Sequence, residues 1–325
     1  MHKGSILAAD IGGTNVRLGA YVEGALVGSA RYSTKTDGAL LDLMHGFAEG
    51  MAMPPEVVVA AAAGPVANNA VELTNAKQTL CGAELQDATG AKEARIINDF
   101  AAAAWATMAP APEHLQVLQG AAQPPVGTRL VIGPGTGLGV GALAHVEGRY
   151  ASLPGEGGHV GIAPRNRREL AVFEALRAHW PEVFFGDSLV IEAEGILSGT
   201  GLPFLYRAVQ DVQGSGSAQP DAASIMQAAK DQSDACAVET VAIFKAHLAK
   251  VAGDQALALN AAGVFLVGGV AMKNAWLFDA AFVEGFGKGG RYDAERAGLN
   301  LYLLNVENFG LEGAHTYAEQ LAAAL

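Results

Sequence analysis

The sequence contains one hairpin pattern twice, and this repeat limits the folds that the chain can adopt. The first copy reads Gly13-Thr14, Gly19-Ala20 and Val22-Glu23-Gly24, and the second reads Gly135-Thr136, Gly141-Ala142 and Val146-Glu147-Gly148. Both copies follow an apolar run that is typical of a strand, and both turn at glycine and threonine. Coincidence is the alternative in a chain with 41 glycines. The shared context nevertheless favours a duplicated α/β unit with a ligand cleft between its halves.

Length and charge narrow the classes of protein further. A chain of 325 residues, half of them apolar and 17% charged, exceeds what one core usually holds, so we expect two domains or two lobes. The formal charge of −12 argues against nucleic acid or an anionic membrane as a partner, since both are themselves negative. Two cysteines, Cys81 and Cys236, are too few for a disulfide scaffold. Because no signal peptide or bilayer-length apolar run is visible, we expect a cytoplasmic protein.

Short β-rich runs alternate with longer amphipathic segments, which is typical of α/β proteins. Strands are predicted at Ile6–Asp10, Val16–Val22, Leu26–Tyr32, Val57–Ala62, Val71–Leu73, Arg95–Ile97, Leu130–Ile132, Gly139–His145, Val264–Val267 and Leu301–Val306. Helices are predicted at Leu40–Met51, Phe100–Met108, Glu169–His179, Ala222–Lys230, within Ser233–Leu259, and at Glu312–Ala324. Prolines, glycines and serines predict loops at Ala121–Thr128 and Asp211–Asp221.

The repeated glycine turns suit the binding of phosphate groups. Glycine lets backbone N–H groups converge on an anion, and Thr14 and Thr136 would each add a hydroxyl donor. The lysine-containing P-loop is absent, and a formal Gly-x-Gly-x-x-Gly at Gly285, Gly287 and Gly290 follows a helix-like segment, so we interpret it as a surface loop. Each hairpin is therefore predicted to hold one part of a polyphosphate.

Asp10 stands directly before the first glycine turn, where a carboxylate would repel a phosphate. A divalent cation between them would remove the conflict, because Mg²⁺ prefers one or two carboxylates together with water and phosphate oxygens. Capping of a β-turn by Asp10 is the structural alternative. We expect a metal-assisted nucleotide site in which Asp10 contacts Mg²⁺ indirectly, through water or through the nucleotide.

Asn98 and Asp99 stand where an apolar strand meets an alanine-rich helix. Helix capping alone could explain Asp99, and the helix dipole predicts a low pKa for its carboxyl. An ionised Asp99 could accept a hydroxyl proton late in phosphoryl transfer, and the amide of Asn98 can donate to and accept from a hydroxyl. The pair therefore suits a polyol substrate.

A second polar cluster, Glu156 and His159, lies among three glycines, and Glu194 follows in "IEAEGILSG" with Glu192 as a local competitor. Surface charge is the alternative for each of the glutamates. Polar side chains beside glycines fit close contact with a small hydroxylated ligand. This segment lacks the further ligands that a Glu/His metal site would need.

Taken in order along nearly the whole chain, these motifs resemble the bacterial glucokinase family. They are Asp10 to Asn15, Ile97 to Phe100, Gly133 to Gly139, Gly155 to His159, Glu194 to Gly201 and Leu266 to Val270. The resemblance implies the two-lobed, duplicated sugar kinase, Hsp70 and actin-like ATPase (ribonuclease H-like) fold, with a cleft between the lobes. It also implies a small lobe of residues 1–108 plus 310–325, a large lobe of residues 109–309, and a homodimer.

The resemblance further implies ATP-dependent phosphorylation of the 6-hydroxyl of glucose, the first step of glycolysis. Asp99 would be the base, and the sugar ligands would be Asn98, Asp99, Glu156, His159 and Glu194. The nucleotide, as Mg-ATP, would contact Asp10, Gly12, Gly13, Thr14, Asn15, Gly133, Gly135, Thr136, Gly137, Gly268 and Gly269. No cysteine follows His159 where the related repressor and kinase family carries a zinc motif, so structural zinc is not expected.

Other functions stay open on the sequence alone. A kinase for another hexose or an amino sugar is the nearest alternative, and ADP or polyphosphate could replace ATP as donor. A sugar-responsive repressor on this fold would need a helix-turn-helix, for which the first predicted strand leaves no room. An actin-like filament protein would have no use for the cluster of Asn98, Asp99, Glu156 and His159.

Overall fold

The structure, a computed structural model, describes residues 4–34, 38–73, 77–216 and 218–325 as an α/β protein. Its strands are β1 (Ser5–Ile11), β2 (Asn15–Val22), β3 (Ala25–Ser33), β4 (Val57–Ala62), β5 (Val66–Ala67), β6 (Ala70–Leu73), β7 (Gln78–Cys81), β8 (Glu93–Asn98), β9 (Leu115–Gln119), β10 (Arg129–Pro134), β11 (Leu138–Val146), β12 (Arg149–Leu153), β13 (Gly161–Ile162), β14 (Ile191–Glu192), β15 (Gly263–Leu266) and β16 (Asn300–Leu304). Its α-helices are α1 (Leu40–Glu49), α2 (Gly82–Thr89), α3 (Asp99–Ala106), α4 (Arg167–His179), α5 (Leu202–Gln213), α6 (Ala222–Lys230), α7 (Ala235–Ala258), α8 (Gly269–Lys273), α9 (Ala280–Gly287), α10 (Asp293–Ala297) and α11 (Phe309–Ala322).

Two large sheets share one topology. The first sheet has the strand order β3-β2-β1-β4-β8, and the second has the order β12-β11-β10-β15-β16 with β9 added at its edge. In the first sheet β1, β2 and β3 form antiparallel hairpins, and β4 and β8 run parallel to β1. In the second sheet β10, β11 and β12 form the same hairpins, and β15 and β16 run parallel to β10. The duplication predicted from the repeated hairpin motifs is therefore confirmed.

The repeated Glu-Gly pairs form equivalent turns between the second and third strands of each sheet. Glu23 has a φ of 51° and Gly24 a φ of 80°, and Glu147 and Gly148 have φ values of 51° and 79°. Positive φ at both central residues is typical of the two-residue turns whose twist matches that of the flanking strands. The repeat thus sets the register of both hairpins.

Side-chain alternation along the central strands divides the core into layers. In β1, Leu7 and Ala9 pack with α1 and α2, whereas Ile6 and Ala8 point towards α3 and α11. The helices α3 and α11 lie between the two sheets and share one hydrophobic cluster with both. The outer face of the second sheet packs on the large helices α4 to α7 and on α9. Because α3 lies in the shared layer, it carries Asp99 to the boundary between the two sheets.

The predicted strands and helices are all present, with ends that differ by a few residues, and Val57–Ala62 and Ala222–Lys230 agree in full. The loop Ala121–Thr128 is confirmed. The predicted loop Asp211–Asp221 is wrong at its start, because α5 continues to Gln213; its Ser217 lies outside the described residues.

The interpretation of Gly285, Gly287 and Gly290 as a surface loop is also wrong for the first two, which lie in α9. Buried Phe282 and Phe286 hold that helix in the core, and packing of this kind overrides the low helix propensity of glycine. Across the described residues, we find no helix that combines the length and the apolar character needed to cross a membrane.

Candidate active site

A cavity of about 810 Å³ opens between the two sheets. Its lining comes from the turn after β1, the end of β4, the start of α3, the β10–β11 turn and the loops that follow β12 and β15. It brings together all but two of the predicted site residues, namely Gly12, Gly13, Thr14, Asn98, Asp99, Gly133, Gly135, Thr136, Gly137, Glu156, His159, Glu194, Gly268 and Gly269. Residues separated by more than 250 positions in sequence thus line one cleft.

The first glycine turn is held closed by its own backbone and by a buried threonine. The N–H of Gly12 donates to the carbonyl of Asn15 over 3.0 Å. Thr34 donates its N–H to Thr14 and its hydroxyl to the carbonyl of Gly12, at 3.0 and 2.9 Å. Sequence reasoning missed Thr34, because its role depends on the return of β3 beside the turn.

Hydrogen bonds from the segment that follows Glu194 hold the second glycine turn in place. The N–H of Gly199 donates to Gly135 over 2.8 Å, and the hydroxyl of Thr200 donates to Thr136 over 2.9 Å. Oε2 of Glu194 accepts the N–H of Leu138 over 2.8 Å. Glu194, predicted as a sugar ligand, therefore also contacts the backbone of the predicted phosphate turn.

A smaller pocket of about 390 Å³ adjoins this turn and shares Gly135, Thr136 and Gly269 with the main cavity. Its other walls include the apolar side chains of Met226 and Phe244 and the polar end of α8. Gly268 precedes α8 with a φ of 91°, and a Cβ there would lie 2.9 Å from the carbonyl oxygen of Pro134. Glycine at this position lets the helix start directly beside the cleft.

Asn98 is the N-cap of α3, a role that sequence analysis considered for Asp99. Its Oδ1 accepts the N–H groups of Phe100 and Ala101, and its Nδ2 donates to the carbonyl of Gly64 over 3.1 Å. Asp99 follows as the first helical residue, and its Oδ1 accepts the N–H of Phe100 over 2.9 Å. Both residues line the cavity.

The expectation of a low pKa for Asp99 is wrong. Burial raises the pKa of this carboxyl to about 6, and the negative charges of Asp10 and Glu156 add to the effect. The hydrogen bond from Phe100 acts in the predicted direction and lowers the pKa, but it does not offset the loss of hydration. A carboxylate with a pKa near neutrality is suited to accept a proton.

His159 and Glu156 lie on the opposite side of the cavity, and both are exposed. Nδ1 of His159 lies 2.9 Å from Oε2 of Glu192, and this hydrogen bond is the main reason that the pKa of His159 is raised. Glu192, considered beforehand as a competitor of Glu194, thus contacts the histidine, while Glu194 lines the cavity itself.

Asp10 and Asn15 are the two predicted site residues that do not line the cavity. Oδ2 of Asp10 accepts a hydrogen bond from Arg17 over 3.0 Å, and a Cβ at Gly310 would lie 2.6 Å from its Oδ1. Burial raises the pKa of Asp10, against the opposing effect of Arg17. The side chain of Asn15 accepts a hydrogen bond from Arg31 over 3.2 Å. Asp10 belongs to β1.

The sequence and the fold both match known proteins. A family model described as "Glucokinase" matches residues 7–321. The chain belongs to the glucokinase family. A glucokinase of Chelativorans sp. is 34% identical over 330 residues, which cover 96% of this chain and 91% of the relative. Family membership makes the chain an enzyme, and the resemblance inferred from its motifs is confirmed.

Solved structures of similar kinases confirm the two-lobed actin-like fold. The glucokinase of an Antarctic psychrotroph has a TM-score of 0.86 and 27% identity, covering 98% of this chain and 99% of its own. A ROK family glucokinase from Streptomyces griseus, in complex with glucose and AMPPNP, has a TM-score of 0.58 and 18% identity, covering 98% and 100%. At this lower identity, the second likeness is one of fold.

Proposed function

We propose that this chain transfers the γ-phosphoryl group of Mg-ATP to the 6-hydroxyl of D-glucose. The observation that carries the proposal is the meeting of three features in one cavity. These are a buried carboxylate with a pKa of about 6, two glycine turns and a cluster of polar side chains suited to a polyol. Membership of the glucokinase family and the similar fold of an enzyme solved with glucose and AMPPNP support the same reaction.

In this mechanism Asp99 orients the 6-hydroxyl and accepts its proton as the oxygen bonds to the γ-phosphorus. The bond between that phosphorus and the β-phosphate oxygen breaks, so ADP leaves as the products separate. Because the transition state of phosphoryl transfer is loose, most of the catalysis comes from positioning and charge stabilisation. Asn98, Glu156, His159 and Glu194 would hold the remaining sugar hydroxyls.

The nucleotide would lie across the two turns, with its phosphates on the N–H groups of Gly13 and Thr14 and of Thr136 and Gly137. The N–H groups of Gly12 and Gly135 instead donate to the carbonyls of Asn15 and Gly137 and hold the turns closed. The pocket beside α8, with Met226 and Phe244 as apolar walls, suits the adenine ring. Asp10 is the carboxylate of β1 behind the first turn, and its pairing with Arg17 favours contact with Mg²⁺ through water. Asp10→Ala should therefore weaken the use of Mg-ATP more than the binding of glucose.

The deciding experiment measures ADP formation with and without glucose. Strong dependence on glucose supports the kinase, turnover without sugar indicates an ATPase or filament protein, and duplex DNA binding without turnover indicates a repressor. Asp99→Asn should fold and lose turnover by about 10²-fold or more, since loss of a positioned base costs about that much. A folded Asp99→Asn variant with normal kcat would exclude Asp99 as the base.

The finer details of specificity are tested in the same assay. Mannose, fructose and glucosamine in place of glucose test the alternative of another hexose or amino sugar, and ADP or polyphosphate in place of ATP tests the donor.

The division into residues 1–108 plus 310–325 and residues 109–309 stays a proposal, as does the homodimer. Glucose binding to both lobes should close them, and small-angle scattering with and without glucose measures that change.

A further inference from the structure

The ring of Phe100 lies on bare backbone at the base of the second phosphate turn. Gly133 of β10 and Gly139 of β11 are paired in the antiparallel register next to that turn. A Cβ at Gly133 would lie 2.9 Å from the ring of Phe100, and a Cβ at Gly139 would overlap it. Because these two glycines have no side chains, the ring packs directly on their backbone, and we call this backbone surface the seat of Phe100.

The backbone of Phe100 also holds the carboxylate of Asp99. The N–H of Phe100 donates to Oδ1 of Asp99 over 2.9 Å and to Oδ1 of Asn98 over 2.8 Å. One residue thus connects two parts of the cavity: its ring contacts the β10–β11 hairpin, and its N–H fixes the carboxylate at the start of α3. The ring also lies near that of Phe309, with the ring centroids 6.2 Å apart and the ring planes tilted by 55°.

From this geometry we infer that Phe100 is a positioning residue that sets the distance between the Asp99 carboxylate and the phosphate turn Gly135–Gly137. The inference rests on the proposed function, in which that carboxylate accepts the proton and that turn binds phosphate. The acceptor oxygen and the phosphorus must approach within about 3–3.5 Å in line, and a misplacement of about 1 Å can cost about 10²-fold in rate. A ring packed on backbone moves less than one packed on flexible side chains.

The first test replaces Phe100 by leucine and by alanine in the full-length protein. We expect kcat to fall about 10- to 100-fold while KM for glucose changes less than about threefold, because Glu156, His159 and Glu194 keep their places. A purely structural role would lower the melting temperature and leave kcat per folded molecule unchanged. Phe286→Leu is the matched control, because Phe286 is a fully buried ring of α9, outside the cavity lining. It should lose stability and keep kcat within about twofold of wild type.

The second test uses the seat itself. Gly139→Ala should lower kcat in the wild-type background, because the new methyl group displaces the ring. In the Phe100→Ala background the same methyl group has room, so Gly139→Ala should change kcat less than about threefold. If Phe100→Ala does not fold, Phe100→Leu takes its place in this comparison.

The inference is overturned by a near-normal kcat in folded Phe100→Leu and Phe100→Ala, or by an equal effect of Gly139→Ala in both backgrounds. The wild-type protein in the same assay separates this failure from a wider one. Glucose-dependent ADP formation by the wild type together with either result refutes only the role of Phe100. Wild-type protein without glucose-dependent turnover refutes the proposed function, and this inference with it.

Discussion

Asp99→Asn should stabilise the folded protein while it removes activity. The pKa of Asp99 is raised from an ordinary 3.8 to about 6, mainly by burial, so the ionised carboxylate is held in the folded state at a cost. A neutral amide of the same shape removes that cost. Its Oδ1 can still accept the N–H of Phe100, so the start of α3 keeps its hydrogen bond.

The size of the gain follows from linkage between ionisation and folding. Between pH 3.8 and about 6 the folded state binds more protons at Asp99 than the unfolded chain does, so stability falls as the pH rises through this window. Above it the full penalty applies, and the difference in pKa corresponds to about 3 kcal/mol. At pH 4 less than about 1 kcal/mol remains, because the folded state is then almost fully protonated and the unfolded chain already about two-fifths protonated at this carboxyl.

Urea unfolding at pH 7 and at pH 4 measures both values, with wild type and Asp99→Asn compared under identical conditions. Asp187→Asn removes an exposed carboxylate, changes the net charge equally and should leave the free energy of unfolding unchanged. An Asp99→Asn variant that is no more stable than wild type at pH 7, or that gains equally at both pH values, would refute the reasoning. The first outcome would mean that Asp99 is well hydrated, and the second that its ionisation has no part in the effect.

Three further substitutions test other contacts of the site and core. Glu192→Gln should lower the pKa of His159, measured as the NMR titration midpoint of its ring, and an unchanged midpoint would contradict the role of their hydrogen bond. Glu194→Gln weakens a charge-assisted bond to the phosphate turn, so KM for ATP should rise a few-fold along with KM for glucose; a change in glucose KM alone would identify a sugar ligand only. Burial acts to raise the pKa of Glu169, but hydrogen bonds from His247 and Arg165 outweigh it and lower the pKa to about 2. Glu169→Gln should therefore cost about 3–5 kcal/mol in urea unfolding at pH 7, and a loss that does not shrink from pH 4.5 towards pH 2 would contradict this account.

The strands and helices that could be predicted are those whose burial is evident from the local sequence pattern. Val57–Ala62 is an uninterrupted run of small and β-branched apolar residues, and such a run between turn signals suits a central strand. Strand β9 was not predicted, because Leu115–Gln119 is short, carries two glutamines without regular alternation, and pairs with β16 alone at the edge of the second sheet. Helix α5 was not predicted either: Pro203 follows its first residue, where proline is tolerated, although the same residue in isolation suggests a helix break.

Most residues that line the cavity could be predicted from the sequence for a similar reason. Glycines beside threonine, aspartate or histidine are unusual enough in a local stretch to predict close contact with a ligand. Thr34, Thr200 and Phe100 were missed, since each acts on a segment more than 20 positions away in sequence. The role of such residues depends on which strands and turns lie side by side, and that information belongs to the tertiary fold.

The sign of the Asp99 pKa shift illustrates the same limit. The start of a helix lowers the pKa of a carboxyl, and the hydrogen bond from Phe100 supplies that effect here. Burial between the two sheets exceeds this effect, and the charges of Asp10 and Glu156, which approach from different segments, add smaller increases to the pKa. The local sequence therefore predicts the direction in which the helix start shifts the pKa. The net shift in pKa also depends on hydration and on charges from distant segments. The basicity that the proposed reaction requires of Asp99 thus depends on the packing of both sheets around α3, which outweighs the opposing hydrogen bond from Phe100.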